Sequence, residues 1–254
     1  MKTIQGQKAV CDGDRWSSFN NFIRHGEAGR IVMKGGPGRA RDIAPGQYNL
    51  LSFDLAPHRH RRQSPAPEYV TIQNNVVWIP SEQGSTESGE IIFPSEFNHR
   101  LHLELATNEK LGYYGCCFAN MTERNVVLFK PHAIQDFTYS SNYFSDFVGA
   151  GHRAGLERHN FAHFDCPLDD TSQGYFILGK YMNNHKNENV LHLSAFIIPK
   201  HFTLYIPPNV IHSNDYLRGK WRTMLSDLPV DHVKLKQRRH NPHEMSDFAF
   251  DFIV

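Results

Sequence analysis

Two short stretches carry residues of the types and spacing that could hold a metal. In His163-Phe164-Asp165 the two polar side chains are one residue apart, so on an extended chain they project from one face. Farther on, the apolar segment His201 to Ile206 stops at Pro207-Pro208, and the chain resumes at His212. A double proline ends a strand, and a histidine just beyond it stands at the start of the next, aimed into whatever the sheet encloses. Two histidines and one carboxylate form the facial triad that leaves the other positions of a divalent iron open to substrate and oxygen. His163, Asp165 and His212 are therefore the candidate metal ligands. Arg158, His159 and Asp169 offer alternative pairings, and His159 would pair with His163 if the segment were helical. Cys166-Pro167 favours an extended chain and hence the H-x-D reading. A second candidate set is His58, His60 and His99. Arg59, Arg61 and Arg62 crowd it with positive charge, which disfavours a cation unless strand alternation turns them outward.

Composition narrows the partner. The 254 residues carry a net charge of +1, which argues against a bulk electrostatic role on nucleic acid or an anionic membrane and points to a small molecule. The basic stretch Lys234 to Arg239 lacks interleaved aromatics and reads as a solvated surface. Cys11, Cys116, Cys117 and Cys166 show no C-x-x-C spacing, and no signal peptide precedes them, so reduced thiols in a cytoplasmic protein are expected. No apolar run approaches the length of a bilayer span. Sixteen histidines are many for an otherwise ordinary composition, which makes a metal site a better expectation than usual.

The elements that must position these residues read mainly as strands. A helical pattern with Trp16, Phe19, Phe22 and Ile23 on one face opens the chain, and Lys34 to Arg39 reads as a plain turn. Strands are predicted over Tyr48–Leu55, Tyr69–Ile79, Glu90–Phe93, Arg100–Leu105, Tyr113–Phe118 and Asn125–Phe129. In Arg100–Leu105 the three leucines would share one face and Arg100, His102 and Glu104 the other. A linker-like region from Pro131 to Gly155 follows, with Tyr139, Tyr143, Phe144 and Phe147 suggesting a short helix. A second run comprises Tyr175–Leu178, Val190–Ile198, Phe202–Ile206 and Trp221–Leu225, and alternating Phe248, Phe250 and Phe252 predict a last strand.

An H-x-[H/D] pair followed by P-x-x-x-x-H recurs in the two strand-rich halves: His58 to His60 before Pro94 to His99, and His163 to Asp165 before Pro207 to His212. The second pattern resembles the P-x-G-x-x-H-x-x-x-N motif of the cupin superfamily at Pro207, His212 and Asn214. Asn209 replaces the glycine as asparagine does at left-handed turns. Pro94 and His99 match the same motif with Glu96 at the glycine, and His58, His60 and Glu68 approximate the first motif. The second half also resembles the iron- and 2-oxoglutarate-dependent oxygenases, whose pattern adds an arginine after the distal histidine for the cosubstrate carboxylate; Arg222 matches, with Arg218 as its competitor. These resemblances imply a mainly β double-stranded β-helix, a cupin-like jelly roll with a few short helices. It is expected as a single unit over 1–254, or as a duplicated one with halves 1–130 and 131–254, the second carrying the metal. They imply an Fe(II) oxygenase using oxygen and 2-oxoglutarate on a small polar molecule. The alternatives are a bicupin lyase, isomerase or dioxygenase that does not use 2-oxoglutarate, and a non-catalytic ligand-binding cupin. Exposed sheet faces in such barrels make a homodimer the expected assembly where they pair.

Overall fold

The computed structural model describes residues 2–5, 29–32, 64–82, 88–118, 133–139, 154–184, 186, 188–200, 202–225, 230–241 and 243–254. The expected helix near Trp16, the strands Tyr48–Leu55 and Asn125–Phe129, and the aromatic residues Tyr143 to Phe147 lie outside them. The described residues form β1 (Lys2–Gln5), β2 (Gly29–Val32), β3 (Thr71–Gln73), β4 (Val77–Ile79), β5 (Gly89–Phe93), β6 (Arg100–Leu105), α1 (Asn108–Tyr113), β7 (Cys117–Phe118), β8 (Ala133–Tyr139) and β9 (Gly155–Arg158). They continue as β10 (His163–Pro167), β11 (Gln173–Asn183), β12 (Asn189–Ile197), β13 (Leu204–Ile206), β14 (Ile211–Leu225), β15 (Asp231–Arg238), β16 (Met245–Asp247) and β17 (Asp251–Ile253). The protein is mainly β, and its strands connect into one large sheet consistent with a β-sandwich. Among the described residues no helix is long and apolar enough to cross a membrane.

Two ladders share β14. Its first part pairs with β11 on one side and touches β9 at His212 on the other, and β9 continues through β15 and β5 to β4. Its second part pairs with β8 and β10, and β10 continues through β13 to β7. Within the first part, between Ser213 and Tyr216, the register with β11 shifts, and Gly219, where the second part begins, takes φ 75°. A Cβ at Gly219 would lie 1.9 Å from the Thr171 carbonyl oxygen, so only glycine lets the strand bend here. Strands from before residue 131 add to strands after it: β3 and β6 to β12, β5 to β15 and β7 to β13.

Alternation sends neighbouring residues to two apolar clusters on opposite faces. Ile177, Ala195, Tyr216, Val233 and Leu235 join Phe93, Phe97 and Phe250 on one; Phe176, Leu178, Phe196, Leu217, Leu204, Ile206 and Trp221 form the other. Each fully buried phenylalanine, such as Phe176 or Phe196, contributes on the order of 2–3 kcal/mol by leaving water.

Several sequence expectations change. The expected strand Tyr113–Phe118 keeps only Cys117–Phe118, because Tyr113 closes a helix over Asn108–Tyr113 in which the Thr107 side chain caps the first turn by accepting from the Lys110 N–H and Leu111 is buried. In β6 Leu101 is buried while Leu105 is exposed and Glu104 buried, because Glu104 accepts the backbone N–H groups of Glu68 and Tyr69 and pairs with Lys110 at 2.6 Å. The linker-like region contains β8, seven residues paired in register with β14. Lys234 to Arg238 belong to β15, whose Val233 and Leu235 are fully buried, so this basic run is a half-buried strand.

Candidate metal centre

The site lies where β9, β10 and β14 meet, at the junction of the two ladders. His163 opens β10, which stays extended through Cys166-Pro167, and all five of its residues are buried. His212 follows the Pro207-Pro208 turn, where Asn209 takes the left-handed φ of 66° that its asparagine permits. The Asn209 N–H donates to the His159 carbonyl at 2.7 Å, tying this turn to the segment before β10. Glu157, on β9, faces His212 across the ladder. Its neighbour Arg158 points the other way, over the Trp78 ring and onto Asp231.

Glu157, His159, His163 and His212 converge, each offering one ligand atom with all four atoms within 4.8 Å of one another. This buried group of three histidines and a glutamate could hold a metal ion. Nδ1 of His163 is 3.0 Å from Nε2 of His212, which is 3.0 Å from Oε1 of Glu157. Ligand bonds of ~2.1 Å place adjacent octahedral ligands ~3.0 Å apart, which the two 3.0 Å spacings match.

The outward-facing ring nitrogens are already occupied. Nδ1 of His159 is 2.8 Å from the Phe161 carbonyl, and its ring stacks on Phe161 at 3.8 Å. Nδ1 of His212 is 3.0 Å from the Val210 carbonyl. A carbonyl only accepts, so both Nδ1 atoms carry a proton and Nε2 of each ring is the nitrogen left to face the cluster. Nε2 of His163 lies 3.0 Å from Oδ2 of Asp165, close but out of line for a hydrogen bond, and neither atom has another partner. Oδ1 of Asp165 accepts the Thr223 hydroxyl at 2.7 Å. Metal-bound histidines are held this way, with the second nitrogen on a carbonyl or carboxylate.

The electrostatics agree. Burial, then the charges of His212 and His163, hold His159 down to about 3, so it stays neutral. Burial pushes His163 down, but the charge of Asp165 and then of Glu157 outweigh it and leave the ring above its ordinary value. Burial raises Glu157, yet His212 and the other two histidines more than offset this and keep the carboxylate ionised.

Of the sequence candidates, His163 and His212 stand in the cluster, whereas Asp165 stands behind His163 as its carboxylate partner. Arg222 is corrected as a cosubstrate anchor. Thr223 and Asp165 face each other across β14 and β10 on the site side, so Arg222 projects to the opposite side, where its guanidinium forks onto Asp136 at 2.6 and 2.9 Å. Arg218 is exposed, opposite Gln173. His99 sits 3.7 Å from Asp251 and beside Phe248, outside the cluster, and His58 and His60 lie outside the described residues. The sequence reading did not single out Glu157 and held His159 only as an alternative. The signal was Glu157-Arg158-His159, an E-x-H pair one residue apart shortly before His163. No family model and no curated protein matches the chain.

Proposed function

We propose that the protein is a metal-dependent oxygenase of the cupin type, in which Glu157, His159, His163 and His212 hold a single non-haem iron and the reaction proceeds without 2-oxoglutarate. The observation that carries the metal is convergence: imidazole nitrogens of His163 and His212 and a carboxylate oxygen of Glu157 stand at 3.0 Å separations, with the outward nitrogens of His159 and His212 turned to carbonyls. Such a group repels itself unless a proton or a cation lies within it. The donor set of nitrogens and one oxygen suits iron, manganese or zinc, and iron is the reading that makes oxygen a reactant.

Ligand number favours a reaction without the 2-oxo acid. Four protein ligands leave two positions of an octahedron, which a chelating 2-oxo acid would fill, excluding oxygen; a three-ligand triad would leave room for both. The side chain expected to anchor the 2-oxo acid, Arg222, faces away. When bound, the metal supplies a Lewis acid and an electron source for oxygen activation. The chain holds the ligand rings rigid: carbonyls of Phe161 and Val210 fix two of them, Asp165 and Thr223 the third. Phe164 and Cys166, alternating with His163 and Asp165 on β10, are fully buried and anchor that strand. The bend of one long strand between two ladders, with the site at the bend, supports the double-stranded β-helix as the form of the sheet.

Anaerobic loading with Fe(II) and then exposure to oxygen with panels of small hydroxy and keto acids tests this reading. Oxygen uptake that needs iron and is lost in His159→Ala is expected. Succinate release from 2-oxoglutarate at the same iron dependence would sink the proposal that no 2-oxo acid is used.

A further inference from the structure

The far end of β15 carries a second group of polar residues, around a cleft. In the β5–β15 ladder Ile92 faces Lys236 and Phe93 faces Gln237, and in the β4–β5 ladder Val77 faces Ile92. Continuing both registers sets Asn75, Pro94 and Arg238 side by side, on the sheet face that Val77, Ile92 and Lys236 share. Gln237 projects to the other face, where its amide donates to the carbonyls of Pro94, Ser95 and Phe97 at 3.3, 3.1 and 2.8 Å and fixes the turn after β5. The turn between β15 and β16 is fixed in a similar way: the Arg239 N–H donates to the Glu244 carbonyl at 2.9 Å, and the Asn241 amide to the Glu244 carboxylate at 3.0 Å.

Between these two turns lies an open cleft of about 520 Å³, a volume that suits a small molecule. Asn75, Val77 and Pro94 line it from the sheet, Ser95 and Glu96 from the turn after β5, and Arg238, Arg239 and His240 from the end of β15. Its described lining carries two guanidinium groups against one carboxylate, that of Glu96, which accepts the Ser95 hydroxyl at 3.2 Å. Guanidinium forks match the oxygens of a phosphate bidentately, and the Asn75 amide and His240 ring add N–H donors. Val77, 40% exposed, and Pro94 offer apolar surface beside those donors. Because hydrogen bonds hold both turns, the walls are in place before a ligand arrives, which lowers the cost of binding.

From this arrangement we infer that the cleft binds a small organic phosphate, its phosphate group held by Arg238 and Arg239 and its carbon skeleton lying on Val77 and Pro94. The site is separate from the candidate metal centre: along β15, Arg238 lies roughly 20 Å from His232, the residue that faces Glu157. The inference therefore stands apart from the metal reading above and does not rest on it.

Calorimetric titration of the full chain at low ionic strength tests it, with phenyl phosphate, inorganic phosphate and phenol as probes. Phenyl phosphate, which has both the anion and an apolar ring, is expected to bind at least about tenfold more tightly than inorganic phosphate, and phenol not to bind. Arg238→Gln and Arg239→Gln should each lower the affinity for phenyl phosphate about tenfold. Val77→Ser should weaken phenyl phosphate and leave inorganic phosphate unchanged. All three side chains are exposed, so the urea midpoints of the variants should stay at that of the parent, which separates lost binding from lost folding. Silence of phenyl phosphate at millimolar concentration, an affinity equal to that of inorganic phosphate, or binding that survives the double variant Arg238→Gln/Arg239→Gln each overturn the inference.

Discussion

Asp165 and His159 exchange the roles their neighbours in sequence suggest. The H-x-D spacing correctly implied that His163 and Asp165 share a face, but two side chains on one face can meet each other as readily as they meet an ion. Asp165 does the former, and the carboxylate that joins the histidine cluster is Glu157 on another strand, a contact between β9 and β14 that no local spacing encodes. Arg222 was misplaced because parity along β14 changes at its bulge, so counting from His212 puts the wrong side chain inward. Asp165→Asn is predicted to weaken metal binding about 10–100-fold without abolishing it, as loss of an outer carboxylate does; Co(II) titration with a competing chelator measures it. Protonation gives the second prediction. Metal must displace the proton that His163 keeps above its ordinary pH range, so Co(II) affinity should rise with pH, by up to about tenfold per unit, through the ordinary imidazole range and beyond it, flattening only above the raised value. His159 acts oppositely on the metal-free fold. Its folded value of about 3 lies below the ordinary 6.5, so the unfolded chain binds more protons between them. The stability it contributes is present above about pH 6.5 and is lost as pH falls toward 3. Urea midpoints against pH should therefore fall more steeply for the parent than for His159→Gln.

At the scale of elements, the sequence showed strands where alternation or β-branching was strong, and the turn at Pro207-Pro208-Asn209 down to its left-handed residue. It misread segments whose fate is settled by distant partners. The strand reading of Tyr113 onward failed because Thr107 caps a helix whose buried Leu111 packs among Phe176, Leu178 and Phe196. Glu104 is buried against the hydrophobic pattern because two backbone N–H groups and Lys110 satisfy it. The strand β14 is the element on which the site depends, since it presents His212 before its bend and Thr223 after it. Gly219→Ala would drive a Cβ into the Thr171 carbonyl at a positive φ. We predict a loss of about 2 kcal/mol or more in urea denaturation, together with weaker metal binding because the two parts of β14 no longer hold their angle. A variant with parent stability would show that the bend tolerates a side chain.

For the whole molecule, an ion at the proposed centre would couple metal binding to the fold. The four ligand atoms come from β9, the segment after it, β10 and β14, so an ion that binds only the folded chain ties together segments far apart in sequence. Cobalt at about a thousand times its dissociation constant should add about 4 kcal/mol to the stability of the parent and little to that of a ligand variant. The most direct measurement is metal content by elemental analysis of anaerobically purified parent protein beside Glu157→Ala, His212→Ala and His99→Ala, each first shown to be folded. Near-stoichiometric metal in the parent and in His99→Ala, lost in the other two, is the predicted result. Metal retained by Glu157→Ala and His212→Ala, or lost on changing His99 alone, would contradict the assignment of the centre to the junction of β9, β10 and β14.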